Sequence, residues 1–287
     1  MRRQRRVNLF MNISFIVLAV LFASPFFIML TTSLKTFGEI QTRSGFLPQT
    51  PMFGNYLVAM QSGNWGRYFL NSIYVTVLAV LISLIINSLA GYAFARLTFK
   101  GRDFLFMLCL LGLVVPPQTI MIPVFIILKS FPLAGGNNLL GVGGRGLIDT
   151  YAGMLAPYIA GAFGVFIFKQ FFMNFPRALD DAARIDGLNR FQLYLRIYVP
   201  LSKPVIATMI AIKSTSTWNE YTWPLIITTS EKMRTVQLAL TTFRDDYNVQ
   251  WHLLMAATAI VILPILGVFI FLQKYFVASV VNTGIKG

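Results

Sequence analysis

Six stretches of more than twenty mostly apolar residues, separated by short polar segments, leave this chain few choices of fold. They run from Leu9 to Leu30, Tyr68 to Phe94, Phe104 to Leu128, Thr150 to Phe172, Val205 to Thr229 and Trp251 to Phe276. About 20 apolar residues cross a bilayer core as a helix, and a helix satisfies its backbone polar groups without water. The pattern predicts an all-α membrane protein with six transmembrane helices in one domain over residues 1–287. Composition agrees: 56% of the 287 residues are hydrophobic and 12% charged, too apolar for an ordinary soluble domain. Arg2, Arg3, Arg5 and Arg6 precede the first stretch as in a signal peptide. That stretch is too long and lacks a small-residue cleavage site, so it reads as an uncleaved membrane helix.

The net charge of +14 is topological. Placing alternate connections on opposite sides puts 15 Lys and Arg with the two termini, the 96–102 turn and the 176–204 loop, and eight on the other side. The positive-inside rule makes the first side cytoplasmic. Lys35 to Arg67 and Glu231 to Gln250 become outer loops. No basic, aromatic-interleaved module is present, which argues against nucleic acid.

Few residues offer chemistry. The lone Cys109 lies in an apolar run, the lone His252 sits beside Trp251 at the edge of a span, and the two supply no metal constellation. Gly141 to Gly146 formally matches GxGxxG, but no strand precedes it and an apolar stretch follows, so the context of a phosphate cradle is missing. No GxxxxGK[ST] occurs. The chain is therefore read as a non-catalytic membrane subunit, without a cofactor of its own. Pro116, Pro117 and Pro123 interrupt the third stretch, and broken backbone at membrane depth requires protein or a watery cavity around it. That stretch is expected to face the interior.

The longest polar island is 176–204. Asp180 and Asp181 suit the first turn of a helix from Ala178 to Ile185, Gly187 makes a corner, and Asn189 caps a second helix to about Tyr198. Leu179, Ala182, Ala183 and Asp186 share one face of the first helix; Phe191, Tyr194, Leu195 and Tyr198 share one face of the second. The unit fits a groove on a partner protein. It equally fits a bed of membrane lipid, with Arg184, Arg190, Arg196 and Lys203 meeting anionic headgroups.

The fifth stretch carries a polar run from Lys213 to Tyr221, and Pro224 is placed to unwind its end. Lys213 falls near mid-membrane, where an ionisable group faces a cavity or a partner by default. Ser216, Trp218, Asn219, Glu220, Tyr221 and Trp223 suit a solute pathway, aromatic faces stacking on sugar rings while amide and hydroxyl groups exchange hydrogen bonds. They also suit an interfacial aromatic belt with Ser and Thr bonded to helix carbonyls.

Asp181-Ala182-Ala183, three residues, then Gly187, with Pro200-Leu201 and Pro204 following, resembles the EAA loop of ABC importer permeases. Trp218 to Leu225 and the terminal Gly284-Ile285-Lys286-Gly287 resemble the carbohydrate-uptake branch, similar to maltose and glycerol phosphate permeases. Asp181 stands where the family usually has glutamate, and Lys213 departs from a more apolar run. The resemblance implies a type I ABC importer permease fold in a bacterial or archaeal plasma (inner) membrane. It implies a second related permease, two ATPase subunits that hold ATP and Mg, and an extracytoplasmic solute-binding protein. Leu179, Asp181, Ala182, Ala183, Arg184, Asp186, Gly187 and Phe191 would form the ATPase-coupling surface. Outside this family, a proton-coupled secondary transporter would use Glu220 and Lys213 as its relay, and a membrane scaffold would use the polar fifth span for helix association alone.

Overall fold

The computed structural model of the chain describes residues 2–42, 45–244 and 248–284, with side chains between Met11 and Tyr275. The side chains of Arg2, Arg3, Arg5, Arg6 and Phe276, and the whole of Arg43 and of Ile285-Lys286-Gly287, lie outside the described residues. Among those described the chain is helical, and one isolated antiparallel bridge, Arg244 with Val249, is the sole β pairing. Three helices are long and apolar enough to cross a membrane: Met11–Ser33, Trp65–Arg96 and Trp251–Tyr275. Two further candidates are bent pairs, Tyr151–Tyr158 with Ala162–Met173 at 47° and Arg190–Leu201 with Lys203–Trp218 at 77°.

Residues 1–65 and 239–263 form one compact unit. Its first helix, Arg2–Ser33, is apolar all round from Met11 to Leu30 and largely exposed there, the pattern of a helix bathed in lipid. Polar contacts begin at its end. Asn55 Nδ2 donates to the carbonyls of Ser33 (2.8 Å) and Lys35 (2.9 Å), and the Ser33 and Tyr56 hydroxyls share a bond of 2.7 Å. The stretch 35–67, expected to be loop, contains the helices Phe37–Gln41 and Gly54–Gln61. Thr36 and Glu39 build a reciprocal capping box for the first of these, a signature that hydropathy alone overlooks. His252 lies against Phe37 with ring centroids 5.7 Å apart.

Residues 66–238 and 264–287 form the second unit. The third apolar stretch is two helices, Arg102–Leu111 and Pro117–Lys129. Pro116 and Pro117 sit at the break, where two successive residues without amides end one hydrogen-bond ladder and start another. Pro123 does not break the helix; it lies inside the second piece. The expectation of an interior position holds for one stripe only. Met121, Val124, Phe125 and Leu128 pack on a core of Val75, Ala79, Met154, Leu155, Trp223 and Ile227, whereas Ile122 and Ile127 point outward and are more than 60% exposed.

A second core lies toward the other end of the helix Trp65–Arg96, around Tyr92, Phe168, Phe172, Leu193, Tyr194 and Tyr198. Gly91 lets two helices cross here. A Cβ at Gly91 would come within 2.9 Å of the Lys169 amide and overlap the Phe168 side chain. Burying each of Phe168, Phe172 and Tyr198, all fully inaccessible, contributes about 1.5–3 kcal/mol.

Asp149 joins two loop segments of this unit. Its carboxylate Oδ1 accepts the amides of Thr229 and Ser230, each at 3.0 Å, and its own amide donates to the Ile227 carbonyl at 2.8 Å. Its φ of 59° is one that Asp tolerates better than most side chains. Burial pushes this carboxyl up, but the Ser230 and Thr229 amides, helped by Arg145, outweigh it and hold the group below the usual carboxylate range.

Candidate functional sites

Helix Ala178–Ile185 occupies the predicted residues, with Asp180 and Asp181 in its first turn. It ends as its sequence demands. The Leu188 amide donates to the Ala183 carbonyl at 2.9 Å and the Gly187 amide to that of Arg184 at 3.1 Å, with Gly187 at φ 74°. This paired closure needs a left-handed residue at the corner, which glycine adopts without a Cβ penalty. Asn189 then caps Arg190–Leu193 through a reciprocal box with Gln192. The next turn, Tyr194–Tyr198, is a π-helix in which Val199 donates to the Tyr194 carbonyl.

The predicted faces are divided. Leu179 is half-buried, Asp181, Ala182, Arg184, Asp186 and Gly187 are exposed, and Ala183 is buried. Ala182 and Ala183 therefore do not present one joint surface. Adjacent residues lie about 100° apart on a helix, so Ala183 meets the core while Ala182 faces outward. In the second helix Phe191 and Leu195 are exposed, whereas Tyr194 and Tyr198 are buried. The wider π turn advances fewer degrees per residue and rotates Leu195 away from Tyr198. Ile185 is 87% exposed at the tip. The Arg184–Asp181 pair, 3.8 Å apart with both side chains about 70% exposed, contributes little.

Two residues that the sequence motifs did not single out anchor this loop. Arg96 ion-pairs Asp180 at 3.0 Å, and Tyr198 donates its hydroxyl to the other Asp180 oxygen at 2.8 Å. In the sequence Arg96 carries only a topological charge signal and Asp180 only a helix-start signal. Beside them Arg102, Arg177, Arg184 and Arg190 line a polar cavity of about 190 Å³.

The fifth stretch is also broken, before Pro224 and not at it. Lys203–Trp218 ends at Asn219, and Pro224 sits in the first turn of Thr222–Ile227, where its missing amide costs nothing. Glu220 Oε1 accepts the amides of Thr222 (3.0 Å) and Trp223 (3.1 Å), so this carboxylate caps the new helix. Trp218 and Trp223 are buried, at 4% and 1% exposure, and serve packing within the chain. The Phe69 ring lies tilted against Trp218, with centroids 6.3 Å apart. Ser216, Asn219 and Tyr221 are exposed; Asn219 accepts from Gln237 at 3.0 Å. Lys213 Nζ lies 5.6 Å from the Tyr158 ring, and no acidic residue pairs with it among the described ion pairs.

Residues 87–282 match the family described as binding-protein-dependent transport system inner membrane component, and the match covers the 178–201 loop and both broken pairs. The chain belongs to that family. Relatives of this permease match it nearly end to end. It is 33% identical over 282 residues to the arabinooligosaccharides transport system permease AraQ of Bacillus subtilis, covering 96% of this chain and 95% of that one. It is 30% identical to the lactose transport system permease LacG of Rhizobium radiobacter (90% and 89% covered) and 30% identical to the sn-glycerol-3-phosphate permease UgpE of Brucella suis (99% of each). The permease also has the fold of a chain from a bacterial ABC transporter that imports the acidic polysaccharide alginate, with a TM-score of 0.80 at 23% identity, covering 96% of this chain and 98% of that one.

Proposed function

We propose that this permease is one of two membrane subunits of an ATP-driven importer for a saccharide or sugar-derived solute. Partner ATPases hold the ATP and Mg, and an extracytoplasmic protein delivers the solute. The observation that carries the reading is the loop itself. An eight-residue helix closed by a glycine corner presents Ile185, Asp181, Ala182 and Asp186 outward while its opposite side is fixed by Ala183 and Asp180. That is a rigid knob on an otherwise apolar chain, suited to a cleft in an ATPase. Closure of the ATPases would displace the knob, rock the helices behind it and alternate access to the solute. The saccharide class is supported by relatives named for arabinooligosaccharides and lactose, aligned over nine-tenths or more of this chain. Ser216, Asn219, Tyr221 and Lys213 are the pathway residues best placed to meet solute, whereas Trp218 and Trp223 support them from within.

A proton relay through Glu220 and Lys213 is not favoured, because Glu220 Oε1 is engaged with two backbone amides and Lys213 with an aromatic ring. The test is reconstitution of the complex in proteoliposomes with its binding protein, scored for uptake of labelled oligosaccharides. Uptake that requires internal ATP and survives an uncoupler supports the importer. Uptake that ignores ATP and collapses with the uncoupler would overturn it.

A further inference from the structure

Arg96 ends the helix Trp65–Arg96, and every arm of its guanidinium is engaged inside the chain. Nη1 holds Asp180 at 3.0 Å, Nε donates to the Phe172 carbonyl at 3.1 Å, and Nη2 donates to the carbonyls of Phe172 and Phe175. Its plane lies 5.3 Å from the Tyr198 ring, whose hydroxyl completes the circuit to Asp180. The Arg96 side chain is 7% exposed and that of Asp180 15%. Phe172 and Phe175 supply carbonyls from the end of Ala162–Met173 and just beyond it, where the helical ladder runs out; the Phe172 carbonyl also accepts the Phe175 amide at 3.3 Å. One side chain thus joins two long helices, the first turn of Ala178–Ile185 and the π turn.

The connections on either side of Ala178–Ile185 are weak by comparison. Pro176 precedes it and Gly187 follows, and these joints are closed by single-turn bonds, the Leu179 amide to the Pro176 carbonyl at 3.2 Å and the Gly187 amide to the Arg184 carbonyl at 3.1 Å. Without a side-chain tie, a push on the exposed face would be absorbed by those two joints.

We infer that Arg96 is the positioning residue that makes Ala178–Ile185 and the helix Trp65–Arg96 move as one body. The inference rests on the coupling role proposed above. It requires arginine, since a planar fork with several directed donors serves a carboxylate and two carbonyls at once, and a lysine ammonium on a flexible stem does not. Asp180 is held on both oxygens, and its loss leaves a buried cation unpaired.

The experiment uses the assembled complex in proteoliposomes, with ATP hydrolysis and solute uptake read from the same vesicles for wild type, Arg96→Lys, Asp180→Asn and Tyr198→Phe. Each assembled variant is expected to hydrolyse ATP within twofold of wild type. Uptake per ATP should fall tenfold or more for Arg96→Lys and Asp180→Asn, and two- to threefold for Tyr198→Phe, which removes one hydroxyl and keeps the ring. A purely structural role would lower assembly and leave the ratio in the remaining complexes unchanged. An unchanged ratio overturns the inference, and Tyr198→Phe decides it if the charge variants do not assemble. If wild type itself takes up solute without ATP, the coupling role falls first and this inference with it.

Discussion

The indole Nε1 of Trp223 donates to the carbonyl oxygen of Gly153 at 3.1 Å and so fastens Thr222–Ile227 to Tyr151–Leu155. Thr222–Ile227 follows the break after Trp218 and Tyr151–Leu155 precedes the bend before Ala162, so the bond is a fixed point between two irregular regions. Trp223→Phe keeps most of the apolar area but leaves a buried carbonyl unpaired, and should cost about 1–2 kcal/mol. Trp223→Ala should cost about 3–5 kcal/mol through the cavity it leaves. Thermal unfolding of the purified protein in detergent reads both, and a Phe variant as stable as wild type would show that the bond contributes nothing.

The two alanines of the loop should separate folding from docking. Ala183→Leu forces three extra carbons into a site 1% exposed and should destabilise the protein by about 1–3 kcal/mol. Ala182→Leu projects into solvent and should leave thermal stability unchanged while reducing recovery of the ATPase in detergent pull-down. Equal stability losses in the two variants would contradict the division of the face.

At Gly187 a Cβ would meet nothing within 4 Å, yet φ is 74°. Gly187→Val therefore acts through backbone strain of about 1–2 kcal/mol and not through collision within the chain. Uptake should be lost with normal membrane insertion, and Gly187→Asn, which tolerates this conformation, should retain most of it. A Val variant with wild-type uptake would remove the corner from the mechanism.

Asp149 gives a pH signature. Its carboxyl is held below the usual range when folded, so its stabilisation is complete above the ordinary value near 4 and is lost as pH falls through the lower folded value. Wild type should thus lose stability below about pH 4 more steeply than Asp149→Asn. Parallel acid curves for the two proteins would show that the two amide bonds stabilise neither protonation state selectively.

Along the fifth stretch, Asn219→Ala and Lys213→Gln should lower solute uptake several-fold with assembly intact, because Asn219 is exposed and Lys213 lacks an acidic partner among the described ion pairs. Unchanged uptake and solute range in both would reassign them to packing.

Helical class was legible from the apolar runs, and the 178–185 helix and its corner from Asp180, Gly187 and Asn189, because local rules of dipole, left-handed closure and capping govern them. Tertiary choices were not. Nothing in the spacing of Ala182 and Ala183 says which meets the core, and a π turn leaves no hydropathy signal. Trp218 and Trp223 suit a solute pathway or an interfacial belt in the sequence because composition does not report burial. Arg96 was hidden for a different reason. At the end of a membrane helix a basic residue is expected on topological grounds, which masks one that also binds a carboxylate 84 positions away.

The π turn at Tyr194–Tyr198 bears on how this loop can be exchanged between relatives. A graft that replaced residues 190–201 with an uninterrupted α-helical segment of equal length would shift the angular phase of everything after Leu193. Tyr198 would then leave Asp180, and the helix Lys203–Trp218 would enter the membrane rotated about its axis. Chimeras should be spliced before Asn189 or after Trp218, so that the extra-wide turn and the helix it orients are inherited together.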